Sequence, residues 1–223
     1  MLLHNDTNAG TSGYASVENR APRRKEFVFA RTGPMRINMR VFSKQDDQNT
    51  LYSIHISGLF SDITDIEMHA GAEKGYQALG SCRFNKFRTS QIQFRLNDEQ
   101  PSKMLSVQDH AYYCWCMDGF HRVDGILQKS KRYFVWKRAA QSATTSSTTG
   151  VLDLELCDAD NLQVCATYNG ATPGSGKGGS LQFRDDLGES GEIGVVLTLS
   201  ALIEKERQKR GRKGNFSTGM LAY

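Results

Sequence analysis

"IGVVLTLSALIEKERQKR", residues 193–210, decides how the rest of the chain must be arranged. It opens with eleven uncharged residues, Ile193 to Ile203, and then turns abruptly to charge. IGVVLTL taken alone also suits a strand, because Val and Thr favour sheets. The following SALIEKERQKR is much better helix than strand. A helix from Val195 to about Lys209 carries apolar side chains on every side rather than in one stripe, so something apolar has to surround it. Lipid does not fit: eleven residues rise only about 16 Å, short of the roughly 20 residues that a span needs. The surroundings are therefore expected to be the protein's own strands.

Those strands are visible as a period of two. RINMRVF places Ile37, Met39 and Val41 on one face, and LYSIHISGLF alternates Tyr52, Ile54 and Ile56 with Ser53, His55 and Ser57. QIQFRL turns Ile92, Phe94 and Leu96 inward, while KRYFVWKR is apolar on both faces, Tyr133 and Val135 opposite Phe134 and Trp136. VLDLELCD sets Leu152, Leu154 and Leu156 against Asp153 and Glu155; LQVCATY aligns Leu162, Val164, Ala166 and Tyr168; SLQF adds Leu181 and Phe183. With the weaker runs EFVFAR, DITDIEMH, YQALGSCRF and YYCWCM, and turn residues between most of them, the total is about ten to twelve strands. The expected fold is mainly β, an antiparallel barrel of about twelve strands enclosing a C-terminal hydrophobic helix. Closure removes exposed sheet edges, and holding a helix needs more strands than the eight that side chains alone can fill.

Composition sets the limits. The 223 residues suit one domain with tails: 1–25 is expected to be a disordered amino-terminal tail, 26–210 the barrel with its helix, and 211–223 a flexible end, while AAQSATTSSTTG (139–150) reads as a loop. Net charge is +4, and EKERQKRGRK (204–213), with six Lys or Arg and two Glu, accounts for all of it. The remaining 22 basic and 22 acidic residues balance, which gives a nucleic-acid-binding domain little electrostatic support. The basic stretch reads equally as a contact for anionic lipid or nucleic acid, a nuclear address, or a solvated helix end that offsets the helix dipole. The five cysteines and the absence of a secretory start favour reduced thiols and a cytoplasmic location, membrane-peripheral or nuclear.

HRVDGILQKSKRYFVWKR, LDLELCDADNLQVCATYN and GEIGVVLTLSALIEKERQKR together resemble the tubby C-terminal superfamily, which includes LURP-one-like proteins and phospholipid scramblases. More narrowly, they are similar to a fungal tubby-like family without assigned function. The shared features are the aromatic strand around Tyr133, Val135 and Trp136, the pattern from Val164 to Tyr168, and the final helix from Val195 to Arg207. The Tyr133–Trp136 spacing is one residue longer than the shortest family form. The resemblance covers about residues 26–210 and implies a twelve-stranded barrel around the helix. It carries no catalytic residue across.

Several stretches invite a chemical reading. ATPGSGKGGS (171–180) looks like a phosphate-binding loop, but Ala171 stands where the first glycine belongs and Gly178 where the Mg²⁺-binding hydroxyl belongs. A strand pattern follows it rather than a helix, so a glycine-rich connection is the better reading. Cys114 and Cys116 share a strand face but lack a second ligand pair. His4, His55, His69, His110 and His121 form no metal motif, and His55 is expected to face solvent. Asp46/Asp47 and Asp185/Asp186 suit turns. DADN (158–161) suits a hairpin turn better than a Ca²⁺ loop. No catalytic residue, metal ligand or cofactor is expected.

One binding surface has a physical basis. Lys129, Lys131, Arg132, Lys137 and Arg138 flank the aromatic strand, and SCRFNKFR supplies Arg83, Lys86 and Arg88. Gathered on one wall they would form a cationic face for lipid headgroups; scattered, they are an ordinary solvated surface. Tubby-superfamily members bind phosphoinositides, which is what the resemblance implies here. The leading expectation is a non-enzymatic domain that binds anionic phospholipid or a protein, with no membrane span. The alternatives are a carrier barrel for a small hydrophobic ligand and a hydrolase whose site the sequence does not display.

Overall fold

A computed structural model describes residues 25–32, 38–57, 63–73, 78–85, 90–96, 101–107, 112–123, 126–139, 152–171 and 177–218, with Asn85, 119–123, 126–129, Lys177 and 212–218 described as backbone only. Residues 1–24, the tract 140–150, the loop 172–176, and Lys86 and Arg88 lie outside the described residues.

Twelve strands form one closed antiparallel barrel in which each strand pairs with its neighbours in chain order. They are β1 (Glu26–Thr32), β2 (Asn38–Ser43), β3 (Asp46–Ser57), β4 (Ile63–Ala70), β5 (Gly80–Asn85), β6 (Gln91–Leu96), β7 (Ser102–Val107), β8 (Tyr112–Val123), β9 (Ile126–Arg138), β10 (Leu154–Asp158), β11 (Val164–Asn169) and β12 (Lys177–Phe183). The wall closes where β1 pairs with β12, Phe27 opposite Leu181. A bulge between Val28 and Ala30 interrupts that seam. There Gly178 lies so close to β1 that a Cβ would overlap the Phe29 carbonyl. Gly178 and Gly179 of the phosphate-loop lookalike therefore belong to the closing strand, where Gly178 allows β12 to meet β1.

Alternation sorts the side chains as period two requires. Phe27, Phe29, Met39, Val41, Ile54, Ile66, Met68, Phe94, Trp115, Phe134, Trp136, Leu156 and Leu181 are buried. Inside them runs α1 (Gly188–Thr218), 31 residues and about 46 Å long. Every residue from Gly191 to Glu204, fourteen in a row, is buried. Burying the seven branched aliphatic side chains of this stretch contributes on the order of 10–20 kcal/mol before chain entropy is subtracted. Its two hydroxyls find partners on the helix itself: Thr198 Oγ1 donates to the Gly194 carbonyl (2.8 Å) and Ser200 Oγ to that of Val196 (2.7 Å). Trp136 Nε1 in turn donates to Thr198 Oγ1 at 3.1 Å, which fixes the helix against β9.

Three expectations need correction. α1 begins at Gly188, before the expected Val195, and runs beyond the expected end near Lys209. Gly194 lies where the helix passes Trp115, whose ring would be 3.2 Å from an added Cβ. SKMLSV forms β7, a strand the periodicity did not show. Leu162, expected inward, is 72% exposed and adopts φ 59° in the turn after β10.

Candidate functional site

The two ends of the barrel differ in charge. At the base, where α1 begins, ions of opposite sign pair. Lys25 binds the buried Glu192 carboxylate, and Arg132 reaches Asp158 (3.0 Å) and Asp185 (3.8 Å). Burial works to raise the Asp158 carboxyl, but Arg132 and the Asp160 backbone N–H outweigh it and hold it below the usual carboxylate range. Asp186 Oδ1 accepts the Gly188 N–H at 2.9 Å and so starts the helix.

At the mouth, where α1 emerges, cations outnumber carboxylates among the described residues. Glu204, fully buried, accepts two hydrogen bonds from Arg207 (2.7 and 2.6 Å) and one from Gln208 Nε2 (2.9 Å). Gln208 Nε2 also donates to Thr64 Oγ1 of β4 at 3.0 Å. Arg138, at the end of β9, pairs with Glu206 at 3.4 Å, and Arg210 meets the same carboxylate at 3.4 Å. Lys205 lies 5.0 Å over the Tyr113 ring of β8. Arg31, on the inner face of β1, is lowered by burial and sits within the field of Glu204, Arg207 and Arg210. Among the described residues the collar thus holds Arg31, Arg138, Lys205, Arg207, Lys209 and Arg210 against Glu204 and Glu206, with Asp153 nearby beside Tyr168. Burial, with Lys209 nearby, pushes the Lys205 amine down to about 8. Tyr113 and Tyr168 beside the collar are both pushed up to about 12, mainly by burial.

The eight cations expected from sequence do not share one face. On β9, Arg132 and Arg138 turn inward and toward opposite ends, the first to Asp158 and the second to Glu206. Lys137 is on the outer face and pairs with Glu155 at 3.3 Å, while Lys131 is exposed opposite Asp118 in the ladder. The Lys129 side chain lies outside the described residues. Arg83 pairs with its ladder neighbour Asp65 at 2.5 Å. It stands four strands from β9, about 19 Å around the wall. Lys86 and Arg88 lie outside the described residues. Sequence reasoning missed Arg31, although its alternation with Phe27 and Phe29 marks it as inward-facing.

The remaining candidates have local roles. Asp46 accepts the backbone N–H groups of Gln48 and Asn49, both at 3.3 Å. Asp158 Oδ1 accepts that of Asp160 at 2.9 Å, the expected hairpin turn. His55 is on the outer wall as expected, but it is half-buried rather than solvated, its ring 5.6 Å from that of buried His69. Among the described residues no three His, Cys, Asp or Glu side chains are arranged to hold a metal ion. No helix among them is long and apolar enough to cross a membrane. Comparison with protein families, with characterised proteins and with solved structures finds no match to this chain.

Proposed function

We propose that the protein is a non-enzymatic binding barrel of the tubby-like kind that engages anionic headgroups of a membrane surface through its mouth. One observation carries this reading. α1 is buried through Glu204 and then delivers Lys205, Arg207, Lys209 and Arg210 to the rim, where Arg31 and Arg138 join them around Glu204 and Glu206. Excess positive charge on a fixed rim attracts phosphate-bearing surfaces, each cation near such a surface contributing about 1 kcal/mol. The twelve-stranded wall around an axial helix also supports the tubby-like relationship, since that is the architecture the resemblance implies. A carrier barrel needs axial space, and α1 occupies the axis from Gly191 to Glu204.

Vesicle co-sedimentation at low salt tests the proposal. Retention on phosphoinositide vesicles should exceed that on neutral ones and fall as salt rises, because exposed charges are screened within about 10 Å at ordinary ionic strength. Replacing both Lys209 and Arg210 with Ala should weaken retention by about 30-fold, the equivalent of about 2 kcal/mol. Equal retention on neutral and anionic vesicles would overturn it.

A further inference from the structure

The closed part of the wall has no free edge, so another protein meets it there face to face. One face is built for that. β8 and β9 are 12 and 13 residues long and pair along their whole shared length, from Tyr112–Lys137 to Val123–Ile126. Beyond Cys114 on one side and Tyr133 on the other, their only ladder partners among the described residues are each other. The hairpin therefore continues past the neighbouring strands as a two-stranded ribbon.

Its outer face is unusually apolar. Of six exposed large hydrophobic residues among those described, four lie on this wall: Leu105 (48%), Val107 (42%), Tyr112 (36%) and Tyr133 (50%). Leu105, Cys114 and Val135 follow one another straight across β7, β8 and β9. The charges here are of both signs, Asp118 opposite Lys131 and Glu155 opposite Lys137. An anionic surface would meet Asp118 and Glu155 unfavourably. A second copy of the same wall offers Asp118 a lysine, Lys131, instead.

We infer that the β8–β9 wall is the contact face of a homodimer whose two-fold axis runs along the seam between these strands. Such an axis brings each outward residue of β8 over the partner's copy of its own ladder neighbour on β9. The ladder then specifies the contacts. Asp118 meets the partner's Lys131, Tyr112 the partner's Lys137, Cys114 the partner's Val135 and Cys116 the partner's Tyr133. Opposite charges, a cation over a ring and two apolar pairs follow from this one placement. The strip is about 40 Å long, two strands wide along the ribbon and four where β7 and β10 flank it, on the order of 600 Å², against the roughly 800 Å² per partner that stable dimers bury.

Sedimentation equilibrium of the full chain tests the inference. The wild type should be dimeric at micromolar concentrations. Tyr133→Asp should raise the dimer dissociation constant by about 100-fold while the monomer keeps a single cooperative thermal melt, because an exposed position loses only the partner and the stability that association adds. Asp118→Lys and Lys131→Asp should each be monomeric alone, yet an equimolar mixture should form dimers, since each variant supplies the charge its counterpart has lost. A wild type monomeric throughout, or Tyr133→Asp as dimeric as the wild type, would overturn the dimer. Failure of the two charge variants to associate on mixing would overturn the axis along the seam. Vesicle retention is read separately on Tyr133→Asp, so loss of the dimer and loss of anion binding at the mouth are distinguishable.

Discussion

The two halves of α1 share a backbone and share almost nothing else. From Gly191 to Glu204 the helix is wrapped on all sides; from Lys205 onward its side chains are half-buried and then exposed at Lys209 and Arg210. Most helices of globular proteins divide polar from apolar around their circumference. This one divides them along its length, which is what a rod passing out of a closed tube requires. The buried half supplies stability and the emergent half supplies charge, so substitutions in the two should fail in different ways.

The largest effect is expected in the wrapped half. Leu199→Asp puts a carboxylate where no partner or water is available and should cost more than about 4 kcal/mol, abolishing the cooperative thermal transition seen by circular dichroism. The same substitution at Lys209 should leave the transition in place. Gly178→Ala at the seam comes next: its methyl would overlap the Phe29 carbonyl, so β1 and β12 have to separate. A loss of several kcal/mol in denaturant titration is expected, whereas a true phosphate loop would show its loss in nucleotide affinity.

Glu204→Ala, at the boundary between the halves, leaves Arg207 and Gln208 without their shared acceptor and should cost about 1–3 kcal/mol, discounted because Arg207 is partly solvated. Thr198→Val should cost about 1–2 kcal/mol by leaving the Trp136 N–H without its acceptor, visible as a lowered denaturation midpoint.

The smallest effect belongs to the emergent half. Lys205 holds its proton less readily when folded, with its amine at about 8 against an ordinary 10.5. Between those pH values the unfolded chain binds more protons, so this residue's contribution to stability rises with pH. Lys205→Met should therefore stabilise the protein modestly at neutral pH and flatten the pH dependence of its melting temperature across that window.

The sequence carried the barrel because Ile54, Ile56, Phe94, Phe134 and Trp136 alternate strictly, and it carried the plug because Val195 to Ile203 are apolar on every side. β7 was hidden because only Met104 points inward there while Leu105 and Val107 face out, inverting the usual contrast. The start of α1 was hidden because Gly194 answers to the bulk of Trp115, a tertiary demand that overrides helix propensity. For the candidate site, β9 alternation already separates Arg132 and Arg138 from Lys131 and Lys137. No local pattern brings Arg31 to Glu204; that meeting depends on closure of β1 against β12, more than 140 residues away in the chain.

Amide hydrogen exchange along α1 tests the threaded helix most directly. Amides from Val195 to Glu204 should exchange only through global unfolding, as slowly as the most protected strand amides, while those of Lys209 and Arg210 exchange by fraying. Exchange of both halves at one fast rate, well ahead of the strands, would place the helix outside the wall and contradict the account.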